Sequence, residues 1–322
     1  MTLNKPKILL ALGGVALALA GLEVCLRVLV PPGAERSPEF VRDEELGWVR
    51  PPNQVGPFYL RNFAAPGLFR VRFRTNSRGW RDHEYPLAKA DNLRILALGD
   101  SITEGWGVEE DQAYPNVLED RFLCGVEVWD LGVDGYSTDQ ELLQLRRVIV
   151  DYKPDLVTLG FYLNDLLPNI RQSTNALAFQ KPLLTFQNPH LVLTNREALT
   201  RQKLREAQTK GSLRARFIGL LNRSALFRMT RFAVLRGLYI LQSRLRSQTG
   251  QQTPYEENPN LVPMGPEVTR AWQLTERILV AMNNLCKEHG ATFVLTYVPS
   301  TQEIFPQVPA LSIKLTGIRH TR

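Results

Sequence analysis

From residue 93 onward the chain alternates short apolar runs with amphipathic ones, and this alternation most restricts the fold it can adopt. Residues 93–98 form an apolar run of strand length that ends in Gly99-Asp100-Ser101. A helix is predicted from about residue 111 to 122, with Pro115 in the first turn, where a missing N–H is tolerated. Residues 126–131 and 155–161 make a second and a third strand. Between them, Thr138-Asp139-Gln140-Glu141 has the spacing of a capping box and predicts a helix to about Tyr152. Residues 166–260 break the rhythm. It resumes with a helix that has Pro266 near its start and Gly290 just past its end, followed by a fourth strand at 291–298. Strands separated by helices imply an α/β fold built on a parallel sheet with right-handed crossovers.

In an open parallel sheet, ligands bind outside the carboxyl ends of the strands. Those ends carry Gly99-Asp100-Ser101, then Gly132-Val133-Asp134-Gly135, then Asn164-Asp165. The three loops are therefore expected at one edge of the sheet. A serine at a strand-to-loop turn becomes a nucleophile toward an acyl carbon when a base takes its proton. The oxyanion that forms needs donors where negative charge develops. Gly135 lets a backbone N–H come close, Asn164 offers a side-chain amide, and Ser101 supplies its own N–H. Taken singly, each motif is ordinary turn chemistry; together they specify a site.

These blocks resemble those of the SGNH (GDSL-type) hydrolase family. Gly99-Asp100-Ser101-Ile102-Thr103-Glu104-Gly105 is similar to the block that holds the serine nucleophile. Gly135 corresponds to the glycine of the second block and Asn164 to the asparagine of the third. The resemblance covers residues 93–165 closely and 267–299 more loosely. It implies a flavodoxin-like three-layer sandwich, an acyl-ester hydrolase or O-acyl transferase, and no cofactor or metal. It departs at Tyr162, where the family usually has glycine. An α/β-hydrolase elbow fits less well, since Thr103 occupies the position that needs glycine. Gly105-Trp106-Gly107 lacks the further glycine and lysine of a phosphate loop.

The family's last block, an Asp-x-x-His that supplies the general base, has no counterpart here. Of the four histidines, His83 precedes the sheet, His190 falls in the insertion and His289 ends a helix. His320 has Gly317 three residues before it, and no acidic residue follows Glu303. The domain is therefore expected to be C-terminally incomplete. The alternative is a non-catalytic polysaccharide-binding or assembly module on the same fold.

The N-terminus reads as an address. Lys5 and Lys7 precede an uncharged apolar run from residue 8 to 22, which covers roughly 22 Å of the ~30 Å hydrocarbon core. Residues 23–30 complete a span, with Glu23 and Arg27 paired one helical turn apart. Lysines on the short side predict N-in topology with the domain outside the cytoplasm. A cleaved signal peptide with Ala18-Leu19-Ala20 as its cleavage site is the competing reading. Cys25 follows Leu22-Glu23-Val24 rather than small residues, which argues against a lipoprotein anchor.

The domain expectations are an anchor or signal peptide at 1–30, a juxtamembrane linker with a strand extension at 31–90, and the hydrolase-like domain at 91–322 with its insertion at about 166–260. Within the extension, residues 69–74 alternate apolar with Arg70, Arg72 and Arg74. This pattern is either a solvated strand face or an anion-binding strip. In the insertion, apolar and arginine residues interleave from Arg214 to Arg246. A lid, a membrane-surface helix and an ordinary insertion packed on the domain are all compatible with that. Cys25, Cys124 and Cys286 show no metal or disulfide spacing. A net charge of +7 without a zinc-finger or RNP-type motif gives no reason to invoke nucleic acid. The expected partners are the membrane, through the N-terminal helix, and an acyl-ester or O-acetylated glycan substrate.

Overall fold

The computed structural model describes residues 5–29, 39–61, 68–122, 125–172, 180–187, 190–231, 233–234, 265–299 and 304. Cys124, His320 and the part of the basic stretch beyond residue 234 lie outside them. Four strands form the central sheet: β5 (Leu93–Gly99), β6 (Val126–Asp130), β7 (Leu156–Tyr162) and β10 (Thr292–Val298). All pair in parallel, in the order β6-β5-β7-β10. The crossovers run through α2 (Tyr114–Arg121), α3 (Thr138–Tyr152) and α6 (Pro266–Glu288).

Strand periodicity sends alternate side chains to opposite faces, and each face has its own cover. Leu96, Leu98, Trp129, Val157 and Leu159 share a core with Leu142, Leu145 and Ile149 of α3 and Ile278 and Met282 of α6. Ile95, Ala97 and Val128 face the other way, against Leu118 of α2. Helices on both sides of a parallel sheet make the three-layer sandwich expected from the sequence. The predicted helix at 111–122 is observed as a short 3₁₀ turn, Glu110–Gln112, followed by α2.

The capping-box expectation for α3 is corrected. Ser137, not Thr138, is the N-cap, and it makes no capping hydrogen bond. Asn169 Oδ1 takes the Asp139 N–H and the Asp139 carboxylate takes the Gln140 N–H. Glu141 is fully buried rather than turned back to the helix start. The first turn faces the protein interior, and the orphan Asp139 N–H is served by a tertiary partner, Asn169.

Among the described residues, three antiparallel hairpins decorate the sandwich: β1 (Val41–Asp43) with β2 (Gly47–Val49), β3 (Val55–Arg61) with β4 (Leu68–Arg74), and β8 (Leu184–Gln187) with β9 (His190–Leu193). Residues 39–50, read from sequence as linker, enter the core, with Leu46 and Trp48 fully buried. On β4, Val71 and Phe73 are buried while Arg72 and Arg74 are exposed. Arg74 is engaged by Glu110 at 2.6 Å. That pairing fits a solvated face better than an anion strip.

Helix α1 (Lys5–Leu29) contains an 18-residue window, Leu12–Leu29, apolar enough to cross a membrane and nowhere buried in the protein. Helices α4 (Arg196–Lys210) and α5 (Leu213–Leu221) belong to the insertion.

Candidate active site

The strand order reverses direction at β5, and an open α/β sheet binds its ligands outside the strand ends at such a switch point. Ser101 sits two residues past the end of β5 and is half-buried. Gly135 lies in the loop after β6, with φ +81°. A side chain disfavours that backbone conformation, and the absence of Cβ leaves the N–H approachable. Asn164 follows β7 in a 3₁₀ turn and is exposed.

Asp100 links the first and third of these loops. One carboxylate oxygen accepts the Ile102 N–H at 2.9 Å and closes the turn around Ser101. The other accepts the Asn164 side-chain amide at 3.0 Å, tying the β5 turn to the β7 loop. Burial pushes the Asp100 carboxyl above its usual range, against the pull of those two donors.

The turn is held in place by residues far away in the chain. Arg50 grips the fully buried Glu104 with two bonds of 2.7 and 2.8 Å, and Phe40 covers its guanidinium at 3.7 Å. Glu104 also accepts the Asp134 N–H at 3.2 Å, which draws the Gly135 loop toward the serine turn. Arg81 donates to the carbonyls of Glu104, Gly105 and Val108. Thr103 drops into a space bounded by three glycines. A Cβ on Gly99, Gly132 or Gly160 would come within 2.0, 2.8 or 2.9 Å of the Thr103 side chain.

Burial, reinforced by Glu104 and Asp100, pushes the Asp134 carboxyl up to about 6. Deeper in, burial drives Glu141 and Asp165 well above the ordinary carboxylate range, reinforced by Asp100 and Asp139 at Glu141 and by Glu141 and Asp100 at Asp165. Ile102, Trp106 and Val108 stay more than a third exposed and give the serine an apolar rim.

The described histidines stand elsewhere. His83 lies between Asp82 (3.0 Å) and Glu119 (3.5 Å). His190 begins β9, and His289 caps α6 at the amino end of β10, the sheet edge opposite Ser101. The described Asp, Glu, His and Cys residues include no group of three or more placed to hold a metal ion.

Sequence reading named Ser101, Gly135 and Asn164, which stand in the loops after β5, β6 and β7, and gave no sign of the holding parts played by Arg50, Arg81, Glu104 and Thr103. The signals for Thr103 were the glycines at the ends of the first two strands, Gly99 and Gly132, and Gly160 within the third.

A model of the GDSL-like lipase/acylhydrolase family matches residues 97–310. Among solved structures, AlinE4, an SGNH-hydrolase family esterase, is 20% identical; 73% of this chain and 88% of that one are covered, with a TM-score of 0.27. TesA is 15% identical over 60% of this chain and 99% of its own, with a TM-score of 0.23. A GDSL-like lipase from Bacteroides thetaiotaomicron is 17% identical over 66% and 73%, with a TM-score of 0.23. No curated protein matches.

Proposed function

The chain belongs to the GDSL-like lipase/acylhydrolase family of ester-hydrolysing enzymes, and from that premise we propose that Ser101 is its nucleophile, acting on an acylated carbohydrate outside the cytoplasm as an esterase or O-acyl transferase. The observation that carries this reading is the placement of Ser101, Gly135 and Asn164 after β5, β6 and β7, with Asp100 bonding the Asn164 amide and Glu104 the Gly135 loop.

The chemistry follows from that placement. Ser101 Oγ attacks the acyl carbon and the carbonyl π pair moves onto oxygen as negative charge. Collapse breaks the ester C–O bond, the alcohol leaves with the serine's proton, and the acyl group stays on Ser101 until water or an acceptor hydroxyl takes it. Backbone N–H groups of Ser101 and Gly135 and the second amide hydrogen of Asn164 receive that charge. Loss of one such donor typically costs about 2.7–4 kcal/mol. Trp106, 39% exposed, offers an apolar face beside the serine that suits an acyl chain or the CH face of a sugar. The location rests on α1 as an anchor with Lys5 and Lys7 on the cytoplasmic side.

A fluorophosphonate probe on the detergent-solubilised full chain, read by intact mass, tests the assignment. A single adduct on Ser101, lost in Ser101→Ala, is expected. No adduct, or equal labelling of the variant, would overturn it and favour the binding-module alternative.

A further inference from the structure

Helix α1 carries two polar residues near its outer end, and both are engaged by the insertion. Glu23 accepts hydrogen bonds from Ser224 Oγ (2.8 Å) and from the N–H groups of Ala225 and Leu226 (2.9 Å each). It thereby caps a helical segment at 225–231. Arg27 bonds Glu23 at 2.7 Å and donates to the Arg223 carbonyl, in the turn that follows α5, at 3.0 Å. The end of α5 and the start of the next helical segment are thus strapped to one level of α1.

That level is fixed by the chain itself. At about 1.5 Å per residue, the rise from Lys7 to Arg27 is about 30 Å, the thickness of the hydrocarbon core. With Lys7 at one boundary, Arg27 reaches the other and Glu23 sits one turn inside it. Whatever bonds to Glu23 lies in the boundary layer.

Helix α5 then presents Leu213, Phe217 and Leu220 on one face, at i, i+4 and i+7. They are 82%, 60% and 57% exposed. An apolar stripe of this spacing ordinarily packs on a core, and here it points away from the protein. Charge supplies the second argument. Between Glu206 and Glu256 the sequence has nine Lys and Arg and no Asp or Glu. An apolar stripe with basic flanks fits the surface of an anionic bilayer.

We propose that α5 and the helical segment after it form an in-plane collar at the outer end of α1, with Leu213, Phe217 and Leu220 in the boundary of an anionic bilayer and Arg216 and Arg223 at its headgroups. The collar rests on the anchor reading of α1, so the test separates the two. The full chain, with Cys25→Ser, Cys124→Ser and Cys286→Ala, is reconstituted in phosphatidylcholine–phosphatidylglycerol vesicles. A nitroxide is attached at Phe217→Cys, Leu220→Cys or, as control, Lys203→Cys. Resistance to alkaline carbonate extraction is expected if α1 is an anchor; release would overturn the anchor. Labels at 217 and 220 are expected to favour oxygen over a nickel chelate, and the label at 203 the reverse. An aqueous response at 217 and 220 in a carbonate-resistant chain would overturn the collar alone. Shielding from both reagents would overturn it in favour of contact with a second copy. Leaving out phosphatidylglycerol, or adding Glu23→Ala, is expected to weaken the oxygen preference. An unchanged preference would overturn the anionic recognition or the strap, respectively.

Discussion

At Thr103 the side chain occupies the space that Gly99, Gly132 and Gly160 leave open, and the serine turn is seated against glycines of three neighbouring chain segments at once. Gly99 and Gly132 were legible in the sequence as strand-end punctuation, and Gly160 only as a residue within the third strand. What they accommodate was not, because the spacing that brings 99, 132 and 160 together is set by sheet register. Gly132 gives the sharpest test. A Cβ there would stand 2.2 Å from the Glu104 backbone nitrogen, so the turn itself must move. Gly132→Ala is expected to slow reaction of Ser101 with the fluorophosphonate by about a hundredfold, the usual consequence of roughly 1 Å of misplacement at a reacting group. A rate within threefold of the parent would show that the seat does not position the nucleophile.

Elements beyond the sheet are tied together by buried charge. Lys181, in the segment leading to β8, is fully buried. Its Nζ bonds both Asp139 oxygens and Ser137 Oγ at 2.7 Å and the Pro168 carbonyl at 2.8 Å. The insertion is thereby fastened beneath the start of α3. Periodicity revealed the strands and helices of the sandwich, since alternating apolar residues mark faces that must be buried. It gave no sign of this fastening, because buried lysines are rare and carry no pattern of their own. Lys181→Met leaves Asp139 buried without its partner and is expected to cost about 3–5 kcal/mol in urea unfolding. Adding Asp139→Leu is expected to restore most of that loss, since the pair is then replaced by apolar groups. Equal instability of the single and double variants would show that the lysine acts through packing rather than charge.

At the scale of the whole molecule, one route by which pH acts is His83, which joins the segment ahead of the sheet to α2. Hydrogen bonds to Asp82 and then Glu119 raise its pKa to about 10, from an ordinary 6.5. A group raised in the folded state stabilises fully below its unfolded value and loses that contribution as pH climbs through the folded value. Stability is therefore expected to fall between pH 6.5 and 10. The urea midpoint of His83→Gln should show a smaller fall over the same range; an identical fall would assign the dependence to other groups. Long-range joins of this kind also impose an order on folding. Leu46 and Trp48 are bonded by Gln140 and Asp134, 94 and 86 residues further along the chain, and Arg50 waits for Glu104. If α1 enters the membrane first, the hairpin just behind it emerges long before its partners are synthesised. Its apolar side chains then spend that interval beside the bilayer, and a mutation that delays sheet formation is felt first as misfolding at the translocation site.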